Sequence, residues 1–97
     1  MNFTAERRLT RLEPNDVIMY PVMTEVASRI LESENKLVFV VSLKASKADV
    51  KRAVEELYEV RVERVTVNIT HKGEKKAYVK LTPDYKAADV AIKLGML

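Results

Sequence analysis

Val65-Thr66-Val67-Asn68-Ile69-Thr70-His71-Lys72-Gly73-Glu74-Lys75-Lys76-Ala77-Tyr78-Val79-Lys80-Leu81 decides how this chain folds. Val65, Val67 and Ile69 alternate with Thr66, Asn68 and Thr70, and Ala77, Val79 and Leu81 alternate with Lys76, Tyr78 and Lys80. Side chains of a strand point to opposite faces with a period of two, so each run predicts a half-buried strand, and the glycine-containing turn between them predicts a hairpin. Setting the apolar residues on one face pairs Ile69 with Ala77, Val67 with Val79 and Val65 with Leu81, because a slip by one residue would turn one set to solvent. The other face then pairs Thr70 with Lys76, Asn68 with Tyr78 and Thr66 with Lys80.

Upstream, Leu37-Val38-Phe39-Val40-Val41 is apolar at every position, which predicts a strand covered on both faces in the middle of the sheet. Ser46-Lys47-Ala48-Asp49 resembles a capping box, and Val50, Ala53, Val54, Leu57 and Tyr58 follow at the spacing of one helix face. On the opposite face Lys51 with Glu55 and Arg52 with Glu56 stand four apart, as exposed helical ion pairs do. Thr24 is an expected N-cap for a helix with Val26, Ala27, Ile30 and Leu31 on its apolar stripe, ending near Ser33 to Asn35. Val17 to Tyr20, stopped by Pro21, reads as a brief edge strand. After Pro83, Asp84 is the expected cap of a last helix bearing Ala87, Val90, Ala91 and Leu94, with Gly95 as its stop. Strand, helix, strand, helix, hairpin and helix in that order predict an α+β fold, a four-stranded, largely antiparallel sheet with packed helices in a plait-like sandwich. Residues 1–16 read as a leader, a tail or frayed helix that is disordered or orders only on a partner, and residues 17–97 as one domain.

Composition narrows the function. The chain has 97 residues, no cysteine, one histidine and two glycines. That stock offers no thiolate metal site, no disulfide and no glycine-rich phosphate loop, so an enzyme, a cofactor and a small-molecule substrate are not expected. His71, beside the hairpin tip, has no neighbouring His or Cys and reads as a turn residue. No apolar run approaches the length of a membrane span, and the polar start lacks the apolar centre of a signal peptide, so a cytoplasmic location without membrane insertion is expected.

The net charge of +3 is small, but its distribution is uneven. Residues 36–52 hold Lys36, Lys44, Lys47, Lys51 and Arg52 against Asp49 alone, and residues 65–82 hold Lys72, Lys75, Lys76 and Lys80 against Glu74 alone. Glutamates such as Glu25, Glu55, Glu56, Glu59 and Glu63 gather elsewhere, so a basic side and an acidic side are expected. Lys44 and Lys47 flank a helix N-terminus, whose free N–H groups already favour phosphate. Tyr78, between Lys76 and Lys80 on the outward strand face, is placed either to pack under a helix or to stack on a base or sugar.

Lys75-Lys76-Ala77-Tyr78-Val79-Lys80-Leu81-Thr82, followed eight positions later by Val90, resembles the signature of the family of the twenty-third large-subunit ribosomal protein. Pro21-Val22-Met23-Thr24-Glu25, Asn35-Lys36-Leu37-Val38-Phe39, and Ala45 to Lys51 through Leu57 to Val62 are similar to its other blocks, in the same order. Val26 departs from the lysine usual after Thr-Glu. Lys72-Gly73-Glu74 is a short turn where bacterial members carry a long extension, so the chain resembles the archaeal form. The resemblance implies a ribonucleoprotein component acting in translation at the ribosome, binding large-subunit rRNA and lining the rim of the polypeptide exit tunnel. Lys36, Lys44, Lys47, Lys72, Lys75, Lys76, Tyr78 and Lys80 are then the expected rRNA contacts. It also implies the twenty-ninth large-subunit ribosomal protein, the signal recognition particle and nascent chains as partners, with Glu25 and Glu59 at the family's docking positions. The alternatives are a free-standing single-stranded RNA-binding domain and a small protein-interaction domain.

Overall fold

The unbroken apolar run of the central strand demands cover on both sides, and the chain supplies it with helices from different parts of the sequence. The computed structural model describes residues 14–94 and contains α1 (Pro14–Val17), β1 (Ile18–Pro21), α2 (Glu25–Glu34), β2 (Lys36–Val41), α3 (Lys47–Tyr58), β3 (Val62–Ile69), β4 (Lys75–Leu81) and α4 (Ala87–Lys93). The four strands form one antiparallel sheet in the order β1-β2-β4-β3, an α+β plait-like arrangement. Residues 1–13 of the expected leader and Gly95, the expected helix stop, lie outside the described residues.

Leu37, Phe39 and Val41 of β2 and Ala77, Val79 and Leu81 of β4 share one face and pack on Val50, Ala53 and Val54 of α3 and on Ala87, Val90 and Ala91 of α4. Phe39 and Tyr58 stack with ring centroids 5.8 Å apart. Burial of the Tyr58 ring holds its phenol above the ordinary pKa. Val38 and Val40 point the other way and are only 4% exposed each. Ala27 and Ile30 of α2 line a shared concavity with Val38 and Tyr78, so α2 roofs this second face. Leu31, next to Ile30 and one turn beyond Ala27, reaches the main core.

Capping fixes where the helices begin. Thr24 accepts from the Ala27 N–H at 3.1 Å, and Ser46 and Asp49 form the reciprocal box that opens α3. The expected Asp84 cap does not form. α4 begins after Lys86, which makes no side-chain cap, and the Ala87 N–H instead donates to Asn35 Oδ1 at 2.7 Å from across the fold. Asn35 Nδ2 donates to the Tyr85 carbonyl at 2.8 Å, and the Asn35 carbonyl accepts from the Leu81 N–H at 3.1 Å. The residue itself ends α2 in the left-handed region, φ 56, which asparagine tolerates better than other residues with a Cβ.

The hairpin register differs from the expected one by two residues: Val65 pairs with Val79, Val67 with Ala77 and Ile69 with Lys75, while Thr66, Asn68 and Arg64 oppose Tyr78, Lys76 and Lys80. The faces are those expected, since a shift of two preserves parity. The turn sets the difference. Gly73 N–H donates to the Thr70 carbonyl at 2.9 Å, Thr70 N–H to the Glu74 carbonyl at 2.8 Å, and Gly73 takes φ +84. A three-residue loop closed by a left-handed glycine therefore brings the strands together sooner than alternation alone suggested. Ile69 is left 62% exposed at the strand end.

Three smaller expectations also change. Val26 is 61% exposed rather than on the buried stripe, and Leu57 sits at the core margin. Glu55 turns from Lys51 to accept the Val62 N–H at 3.0 Å, satisfying the first donor of β3. Arg52 pairs with Asp49 at 3.3 Å rather than with Glu56.

The Asn35 side chain joins two elements separated by about half the chain, so its removal should be felt globally. Asn35→Ala is expected to cost about 3 kcal/mol, from two lost hydrogen bonds and a Cβ left in the left-handed region without compensation. Asn35→Gly should recover the backbone part only and fall between the two. Urea unfolding followed by circular dichroism checks the order, and equal stability of all three proteins would remove Asn35 from this role.

Candidate nucleic-acid interface

Cations are positioned by the elements that carry them, and the fold sorts the expected contacts into two groups. At the end of the sheet where β2 leaves and β4 enters, Lys75 Nζ donates to the Ala45 carbonyl, just before the α3 cap. Tyr20 of β1 donates its phenolic hydrogen to Glu74 at 2.8 Å, and that bond is the main reason its pKa is raised. These two links fasten the hairpin base to the start of α3 and to the edge strand. Lys44 and Lys75 consequently share a concavity with Met19, Tyr20, Leu43 and Glu74. Lys47 is exposed in the first turn of α3, and Lys72 is exposed in the hairpin turn.

The second group lies on the face of the sheet roofed in part by α2. Lys76, Tyr78 and Lys80 alternate along β4 on this face and are each half-buried. Lys36 of β2 stands directly opposite Lys80. Its ammonium is not free, because Glu34 pairs with it at 3.1 Å. Lys75 and Lys76, adjacent in sequence, therefore point to opposite faces of the sheet and serve different groups.

Arg64 was missed in the sequence. It opposes Lys80 from β3, is exposed, and makes no ion pair among the described residues. The alternation that marks β3 begins cleanly only at Val65, because an irregularity between Val62 and Arg64 breaks the period of two there. A strand extended backwards through one bulge would have included it.

The two expected docking glutamates do not share an element. Glu25 opens α2 and pairs with Arg29 at 3.1 Å, both side chains being largely exposed, so that ion pair contributes little. Glu59 ends α3 with φ 54 and lines a concavity with Asp84, Lys86, Asp89 and Lys93. Since α2 and α3 cover opposite faces of the sheet, the two carboxylates stand on different layers. No group of three or more His, Asp or Glu side chains among the described residues could hold a metal ion, and no helix among them is long and apolar enough to cross a membrane.

Comparison with known proteins fits this arrangement. The family model described as Ribosomal protein L23 matches residues 16–96. The chain is also 46% identical over 85 residues to the large ribosomal subunit protein uL23 of Methanothermobacter thermautotrophicus, a match that covers 88% of this chain and 99% of that protein. The short hairpin turn, the capped helices and the cationic strand face thus belong to a chain that is a member of the ribosomal protein L23 family, a structural constituent of the ribosome and not an enzyme.

Proposed function

We propose that this ribosomal protein serves in the large subunit, where it binds the subunit's rRNA, forms part of the exit-tunnel rim beside the twenty-ninth large-subunit protein, and docks the signal recognition particle and nascent-chain factors. The observation that carries the RNA-binding part is the link from Lys75 to the Ala45 carbonyl, which brings the hairpin against the start of α3. Lys44, Lys47 and Lys72 are left exposed at that end of the molecule. The N-terminus of α3, a helix of 12 residues, adds free N–H groups and partial positive charge to those ammonium groups, a combination suited to phosphate. Lys76, Tyr78 and Lys80 extend the interface onto the sheet, and Lys36, neutralised by Glu34, adds little unless RNA displaces that partner. Backbone contacts of this kind position a domain on folded RNA without reading its sequence. The name of the archaeal relative supports the assignment to the large subunit.

Lys44, Lys47 and Lys72 form no ion pair among the described residues, so they can be changed with little risk to the fold. Replacing all three by Ala should weaken binding to large-subunit rRNA and flatten the dependence of log K on log salt by about 2 to 3, at roughly 0.7–0.9 for each phosphate no longer neutralised. Filter binding over a salt series measures it. A slope unchanged from wild type would remove these lysines from the interface.

Docking can be tested separately, because Glu59 occupies a backbone conformation that glycine adopts without strain. Glu59→Gly should leave thermal stability equal or slightly raised and rRNA binding intact, yet reduce recruitment of the signal recognition particle to reconstituted subunits. Glu25→Lys should likewise reduce recruitment through charge reversal and leave rRNA binding intact, with a small loss of stability from repulsion of Arg29. Recruitment at wild-type levels with both changes present would exclude these carboxylates from docking.

A further inference from the structure

Strand register places six side chains of the α2-roofed face in two short columns, Lys76, Tyr78 and Lys80 on β4 against Asn68, Thr66 and Arg64 on β3. α2 covers only the β2 half of this face, where Val38 and Val40 are buried, whereas Arg64, Thr66 and Asn68 are exposed. The result is a shelf: α2 forms its wall, β4 and β3 its floor, and Tyr78 lies half-buried where they meet. Lys76 and Lys80 bracket Tyr78 at about 7 Å along the strand, the rise of two residues. Like charges opposite one another cost stability in a sheet, and Lys80 faces Arg64 on β3, which makes no ion pair among the described residues, while Lys36 on its other side is paired with Glu34. Among these six side chains there is no carboxylate to offset them.

We infer that this shelf takes an unpaired nucleotide of RNA, its base stacked on Tyr78 and hydrogen-bonded by Thr66 and Asn68, its backbone held by Lys76 and Arg64. The inference rests on the rRNA-binding reading above and names the form of RNA at one part of that surface. The charge of the six side chains selects a polyanion. The ring selects a single strand over a duplex, because bases in a duplex already stack on each other and offer no free face to a half-buried tyrosine. Thr66 and Asn68 supply the donors and acceptors that a splayed base edge requires. Glu34 and Glu63 share a concavity with Lys80 and close the shelf at that end, so the strand leaves past Lys76 toward the hairpin lysines.

Wild-type protein titrated with a short single-stranded oligouridylate at low salt provides the test. The backbone amides of Thr66, Asn68, Lys76 and Tyr78 should shift in the NMR spectrum, while an RNA duplex of equal length should leave them in place. Tyrosine emission should be quenched, a clean signal in a chain with four tyrosines and no tryptophan. Tyr78→Ala should lower affinity for the oligouridylate about 10-fold and Tyr78→Phe should leave it within about twofold, as stacking on a ring predicts. The inference is overturned if the duplex moves the same amides as strongly, or if the oligouridylate moves only residues around Lys44 and Lys47. Intact, salt-dependent binding of large-subunit rRNA alongside either result would reject the shelf and leave the broader reading standing. No binding of that rRNA at low salt would reject the broader reading itself.

Discussion

One side-chain amide, that of Asn35, holds the end of α2, the top of the β2–β4 ladder and the start of α4 in a single arrangement. Its carboxamide gives a donor to Tyr85 and an acceptor to Ala87, while its own backbone, in the left-handed region, turns the chain from helix directly into the central strand. α4 has no cap of its own, so without Asn35 its first N–H groups would depend on water. The seating of Ala87, Val90 and Ala91 in the core thus follows from a hydrogen bond made more than half the chain away.

The sheet that Asn35 anchors has two faces with different covers. α3 and α4 seal the Leu37, Phe39 and Val41 side with aliphatic side chains, whereas α2 reaches only across β2 on the other side. A small domain that buries most of one face and half of the other leaves a strip of strand surface free, and on this chain the strip is cationic. The same layering separates Lys75, which serves the hairpin base, from Lys76, which serves the strip.

The turn at Thr70 to Glu74 contributes to stability and to placement alike. Its three-residue loop fixes which β3 residue meets each lysine of β4, and its Glu74 carboxylate accepts from Tyr20 on the far edge strand. A hairpin tied at its base in this way presents its lysines from a defined position.

Local pattern alone dictates the order and type of the elements from β1 to α4, though not the helical turn α1 before them, together with the caps at Thr24 and Ser46, the central place of β2, the parity of both hairpin strands and the family. Each of these is local: periods of 2 and 3.6, a cap three residues from its donor, a run of motif residues in order. Contacts made on closing the fold set the two-residue shift of the hairpin, the capture of α4 by Asn35, the diversion of Glu55 to Val62, and the division of the lysines between two surfaces. Periodicity states which face a residue occupies but not what stands beside it. Neighbours across strands are set by turn hydrogen bonds and by packing between residues tens of positions apart, and those exist only once the chain has closed on itself.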